Sequence, residues 1–299
     1  MTSPLSLALV QAPAHPAGSI ASYLAEVEAL ARQRPAVRLF VYPELHLCGP
    51  VMDTDAPTPT PDELAEPLDG QRDKELAGLA GDLGVWLAPG SVFERGADGL
   101  IYNTMPVYSP EGKRVVSYRK IAPWRPYETV TPGSEFVVFD MADYGRVGLS
   151  ICYDAWFPEI SRHLAWMGAN LILNVVQTPT VDREQEVVLA RAHAITNQVF
   201  VASLNGAGPT AVGRSLLVDP EGRVRTSSVA AEEVVLTDVL DLTEAARVRE
   251  YGTAGLNRPW SQFQPGDTPL DLPLYTGRID PATWAAGRGA AHHDRDGQA

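Results

Sequence analysis

Apolar and polar positions along this chain follow two periods, and the switches between them lay out the elements. Residues 5–11 are a short apolar run closed by Ala12-Pro13, which predicts a strand. Ile20, Leu24, Val27 and Leu30-Ala31 then recur at helical spacing with Glu26, Glu28 and Arg32 between them, predicting an amphipathic helix that ends near Pro35. Residues 37–42 predict a second strand stopped by Pro43, residues 71–83 a second helix, and residues 85–93 a third strand. Residues 101–108 and 115–119 flank Ser109-Pro110-Glu111-Gly112, a strong hairpin signal. A second hairpin joins residues 136–140 to 146–151 across Tyr144-Gly145.

The second half repeats the alternation. Helices over 158–167 and 183–197 precede strands over 171–176 and 199–205. Another hairpin turns at Asp219-Pro220-Glu221-Gly222, and a strand over 234–241 leads to a short helix over 243–250. After Tyr251 the chain becomes rich in Pro, Gly and Asp and loses its period, so it is expected to wrap a neighbour or stay partly loose; disorder is expected beyond about Gly287. Strand–helix alternation mixed with hairpins predicts α/β architecture with large mixed sheets covered by helices. No repeat and no low-complexity linker divides the 299 residues, which favours one domain. A dinucleotide-binding reading needs G-x-G-x-x-G after the first strand, where this chain has QAPAHPAG.

Composition narrows the function classes. The formal net charge is −13, and no cluster of Lys or Arg stands against it, so nucleic acid is not an expected partner. No apolar run reaches the length of a membrane span. The first basic residue is Arg32, so the N-terminus lacks the basic region of a secretory signal. Two cysteines, Cys48 and Cys152, are too few for a disulfide scaffold, and a cytoplasmic setting with reduced thiols is expected.

Three reactive side chains sit just beyond strands: Glu44 in VYPELHLCG, Lys120 in VSYRKIAPW and Cys152 in VGLSICYDAWFPE. Strand ends beside loops are where α/β scaffolds usually hold reactive groups. Singly, each has an ordinary explanation, as a loop carboxylate, a surface charge and an inert buried thiol. Together they supply what a cysteine-dependent hydrolase needs without a histidine: a base for the thiol, a donor for the oxyanion and a proton for the leaving amine. Other pairings are poorer. His193, in ARAHAITN on a predicted helix, reads as a satisfied helix histidine, and His46 with Cys48 lacks further ligands for a metal. His292-His293-Asp294 reads as a chance polar run in the loose tail.

These segments resemble the nitrilase, or carbon–nitrogen hydrolase, superfamily, whose signature is Glu–Lys–Cys in that chain order. The resemblance runs from the opening strand to about Phe263. It is carried by Pro43-Glu44-Leu45, by Tyr118-Arg119-Lys120 with Glu128 and Pro132-Gly133, and by Cys152 with Pro158-Glu159. It implies a four-layer α-β-β-α sandwich over residues 1–265, a C-terminal extension over 266–299, and assembly as a homodimer or larger homo-oligomer. It also implies roles: Glu44 as general base, Cys152 as the nucleophile that forms a thioester, Lys120 and the Tyr153 N–H as oxyanion donors, and Glu128 as a supporting carboxylate. No metal or organic cofactor is implied.

Nitrilases usually carry Trp-Glu after the cysteine, and this chain has Tyr153-Asp154. Enzymes that cleave N-carbamoyl amino acids tend to carry Arg here, where Ala155 and Trp156 stand. The stretch 120–128 is similar to that of aliphatic amidases and formamidases. The leading expectation is an amidase that releases ammonia from a small carboxamide, with Tyr153, Trp124, Trp156 and Phe157 forming the substrate pocket. An N-carbamoyl amine hydrolase, a nitrilase, an amide acyltransferase and a catalytically silent binding protein of the same fold remain as alternatives.

Overall fold

The computed structural model describes residues 3–17, 20–49, 59–275 and 277–279. The expected disorder beyond Gly287 and the run His292-His293-Asp294 lie outside the described residues. The first sheet takes β1 (Leu5–Gln11), β2 (Leu39–Val41), β3 (Trp86–Ala88), β4 (Val92–Arg95), β5 (Ile101–Ser109) and β6 (Lys113–Arg119). The second takes β7 (Val138–Met141), β8 (Gly145–Ile151), β9 (Leu171–Val176), β10 (Phe200–Asn205), β11 (Leu216–Val218) and β12 (Val224–Ser227); β13 (Val234–Leu240) returns to the first. The helices are α1 (Ile20–Gln33), α2 (Pro61–Leu64), α3 (Gln71–Leu83), α4 (Pro158–Trp166), α5 (Arg183–Asn197) and α6 (Thr243–Tyr251).

The first sheet runs β13-β1-β2-β3-β5-β4, with β6 also on β5, and the second runs β12-β11-β10-β9-β8-β7. Each has a parallel centre, β1-β2-β3 and β8-β9-β10, flanked by antiparallel strands. Alternation of side chains builds the layers. Leu5, Leu7 and Leu9 of β1 meet Leu149, Leu173 and Phe200 of the second sheet in one apolar core between the sheets. The alternate residues Ala8 and Val10 face outward onto Tyr23 and Val27 of α1 and Leu76 and Ala80 of α3. On the far side, Ile172 and Val201 pack against Ile160 and Leu164 of α4 and Ala190 and Ala194 of α5. The result is the α-β-β-α sandwich, and strands covered on both faces explain why β1 reads as an unbroken apolar run.

One expectation needs correction. The strand expected over 85–93 is two strands, because Pro89-Gly90 interrupts it: Gly90 has φ +88°, a region few other residues adopt. Of the two outcomes expected for the aperiodic stretch after Tyr251, its first part wraps a neighbouring layer and is not loose. Trp260 is buried in the α4–α5 layer and donates to the Asn197 carbonyl at 3.1 Å, and Gln198 donates to the Asn257 carbonyl at 2.9 Å. Beyond it, β14 (Leu270–Leu272) and β15 (Gly277–Ile279) form a small ribbon that local periodicity did not predict.

Candidate active site

Glu44 follows β2 by three residues and is only 3% exposed. The preceding Pro43 carbonyl lies where a Cβ on Gly90 would come within 1.8 Å, so this close approach of two loops requires glycine. Leu45, in the left-handed region at φ +48°, then turns the chain into a short 3-10 turn, His46–Cys48. Glu44 Oε1 accepts from Lys120 Nζ and Asn103 Nδ2, both at 2.9 Å, and Oε2 accepts from the Gln177 backbone N–H at 3.0 Å.

Lys120 stands immediately after β6 and is 1% exposed. Its backbone is pinned on both sides, N–H to the Asn103 carbonyl at 2.8 Å and carbonyl to the Gly133 N–H at 2.7 Å. Its ammonium also donates to Glu128 Oε2 at 2.6 Å, and Glu128 accepts from the Trp124 N–H at 2.5 Å. One ammonium thus serves two carboxylates. Burial pulls the Lys120 ammonium toward neutrality, but Glu44, the Cys152 sulfur and Glu128 outweigh it and hold it above its ordinary range. Burial, with Glu128 beside it, raises Glu44, and Lys120 opposes that rise.

Cys152 comes from the other sheet, directly after β8, at φ +48°, an uncommon left-handed geometry for a residue with a side chain. This elbow opens a 3-10 turn, Cys152–Trp156, and leaves the sulfur 3.9 Å from Thr178 Oγ1 and within the field of the Glu44 charge. The residue keeps some accessible surface, but its sulfur is desolvated, and burial together with the Glu44 charge pushes the thiol well above its ordinary range. The resting thiol is therefore protonated.

Asp154, fully buried, ties the two strand ends together. It accepts from the Tyr118 hydroxyl at 2.7 Å and the Ala122 N–H at 2.8 Å beside Lys120, and from the Ile151 N–H at 2.9 Å beside Cys152. Burial raises its carboxyl to about 6 against these bonds. His193 meets the Ala155 carbonyl at 2.7 Å, so it braces the elbow as a satisfied helix histidine.

A cavity with only about 20 Å³ of free space opens at Cys152, lined by Trp124, Tyr153, Gln177, Thr178, Pro179, Thr180, Asp182 and Glu186. Trp124 and Tyr153 are thus on its wall. Trp156 and Phe157, expected there, instead stand against the Tyr153 ring at centroid distances of 5.9 and 5.6 Å. Cys48 and His46 are elsewhere: Cys48 faces a separate hollow of about 280 Å³ with Glu63, Glu66 and Arg72, and His46 packs among Tyr23, Tyr42 and His15. Among the described residues, no group of three or more His, Cys, Asp or Glu is placed to hold a metal ion.

Asn103, Gln177, Thr178, Glu186 and Asp154 were not singled out from the sequence. Asn103 did carry a signal, a polar residue inside the apolar run of β5, as did Thr178, two residues past the apolar run 171–176. The arrangement brings a buried carboxylate pair and a shared ammonium together behind the small cavity at the Cys152 thiol.

A sequence model of the carbon-nitrogen hydrolase family matches residues 6–250. The omega-amidase NIT2 of Mus musculus is 33% identical over 205 residues, spanning 63% of this chain and 73% of its own. NIT2-A of Xenopus laevis is 34% identical over the same shares. The crystal structure of Saccharomyces cerevisiae Nit3, a member of branch 10 of the nitrilase superfamily, aligns with a TM-score of 0.71 at 27% identity, covering 83% of this chain and 93% of Nit3.

Proposed function

The chain belongs to the carbon–nitrogen hydrolase family and is a thiol-dependent amide hydrolase, and we propose that it converts a small carboxamide to its acid and ammonia through a thioester on Cys152. The observation that carries this reading is the shared ammonium: Lys120 Nζ lies 2.9 Å from the Glu44 carboxylate, whose charge acts on the buried Cys152 thiol. Because the thiol is held protonated at rest, the thiolate forms only as its proton passes to Glu44 while sulfur attacks the carbonyl carbon. The oxyanion of the tetrahedral intermediate takes hydrogen bonds from Lys120 Nζ and from the N–H of Tyr153, which is free for this as an early N–H of a 3-10 turn. Glu44 returns the proton to the departing nitrogen, which leaves as ammonia. It then takes a proton from water, whose oxygen attacks the thioester, and the collapse that releases the acid reprotonates sulfur.

Glu128 and Asn103 keep Lys120 and Glu44 in register through this cycle. The small cavity, with Trp124 and Tyr153 on its wall, suits a compact acyl group. Residues 1–265 form the hydrolase domain and 266–299 a C-terminal extension in this reading. The working form is a cytoplasmic homodimer or larger homo-oligomer; exposed Val188 and Ile195, two turns apart on α5, support self-association, and no helix among the described residues is long and apolar enough to cross a membrane.

The test is ammonia release from propionamide in single-turnover experiments, with mass spectrometry of the Cys152 peptide. Cys152→Ala is expected to abolish both acyl adduct and ammonia, while Cys48→Ser retains most activity. Equal losses in the two variants would overturn the assignment.

A further inference from the structure

Thr178 stands two residues past β9, next to Gln177, and its environment fixes the direction of its hydroxyl. Oγ1 lies 2.8 and 3.1 Å from the two carboxylate oxygens of Glu186. Glu186 is held by Arg183 Nη1 at 2.9 Å, and the guanidinium is locked in turn onto Ser203 Oγ and the carbonyls of Ser203 and Arg214 at 3.0 to 3.1 Å. Thr178, Glu186 and Arg183 are all at least nine-tenths buried. A carboxylate facing a guanidinium only accepts, so the single hydroxyl proton of Thr178 is committed to Glu186. What Oγ1 turns to the cavity is lone-pair density, and it does so 3.9 Å from Cys152 Sγ. The backbone of Thr178 is clamped as well, its N–H to Asn205 Oδ1 at 2.9 Å and its carbonyl to Asn205 Nδ2 at 3.1 Å.

We propose that the Thr178 hydroxyl is a specificity-determining acceptor for the substrate's nitrogen, selecting primary carboxamides over esters and N-alkyl amides. This rests on the amidase reading above and names the leaving group that the same site prefers. Glu44 must reach the nitrogen to protonate it, and Glu44 is anchored to the Gln177 N–H, the residue adjoining Thr178. Two acceptors, Glu44 and Thr178, therefore border the same stretch of chain beside the sulfur. A primary amide has two N–H groups to give them. An ester presents an oxygen lone pair to both, and an N-methyl amide replaces one donor with a methyl group that can give no hydrogen bond to either acceptor. A site built to accept from N–H discriminates strongly against analogues lacking it, because its own acceptors would be buried unpaired.

The experiment compares kcat/KM for propionamide, N-methylpropionamide and methyl propionate in wild type, Thr178→Val, Thr178→Ser and Glu186→Gln. In Thr178→Val the propionamide value should fall about tenfold, the worth of one hydrogen bond, while methyl propionate changes by less than about twofold. Thr178→Ser should keep the wild-type preference. Glu186→Gln, whose amide can donate to Oγ1 and turn the hydroxyl proton into the cavity, should show the same selective loss. Parallel losses for amide and ester, or no loss for either, in Thr178→Val and Glu186→Gln would overturn the proposal and leave the amidase reading standing. A wild type that turns over methyl propionate but not propionamide would overturn the amidase reading and this assignment with it.

Discussion

Replacing Lys120 with Met keeps most of the side-chain volume and removes the cation that Glu44 and Glu128 share at 2.9 and 2.6 Å. Two effects follow, and they separate. For folding, a buried charge pair that loses one partner typically costs about 3–5 kcal/mol, because the remaining charge stays desolvated. Here two carboxylates are left, and Glu44, already raised by burial, takes up a proton, which brings the loss toward the lower end, roughly 3 kcal/mol. For turnover, loss of an oxyanion donor lowers the rate by about 10²–10³. The double variant Lys120→Met/Glu128→Gln distinguishes the two. Removing one of the crowded carboxylates should recover much of the urea stability, whereas the acylation rate should stay low, since no donor has been returned to the oxyanion. Urea midpoints and single-turnover acylation rates read the outcome. A Lys120→Met enzyme that lost less than about 1 kcal/mol and less than tenfold in rate would refute the shared-ammonium argument. So would a double variant whose rate recovered in step with its stability.

Two further perturbations test the frame around Glu44. His46 is buried against Tyr23, Tyr42 and His15, with Glu26 paired to His15, and burial lowers its imidazole from 6.5 to about 3. The folded state thus binds fewer protons there than the unfolded chain between these values. Stability falls as pH drops below 6.5, by up to about 5 kcal/mol at pH 3, taking roughly 1.4 kcal/mol per unit. Urea titrations of His46→Phe should show a visibly shallower acid slope than wild type, and identical slopes would refute this. Gly90→Ala places a Cβ on the Pro43 carbonyl at φ +88°, so it should cost roughly 2 kcal/mol or more and slow acylation by displacing Glu44; an unchanged melting temperature and rate would count against the close approach.

The elements that arise from local pattern were legible in the sequence. The helices over 71–83 and 183–197 and the strand over 171–176 fall where the periodicity placed them, because an element covered on a known face must carry its apolar residues at that element's own period. The strand ends bearing Glu44, Lys120 and Cys152 were legible too, as residue types and motif spacing. The tertiary structure alone decided what meets them. Asn103 reaches Glu44 across 59 positions and the Gln177 N–H across 133, and Asp154 joins strand ends from two sheets, contacts that no window along the chain contains. Trp156 and Phe157 looked like pocket residues by proximity to Cys152, yet the 3-10 turn directs them onto Tyr153. Arg183 and Glu186, three apart on a helix, would pass for a solvated surface pair. Only the packing of α5 over the second sheet buries them, and that burial is what commits the Thr178 proton and turns an ordinary threonine into an oriented acceptor.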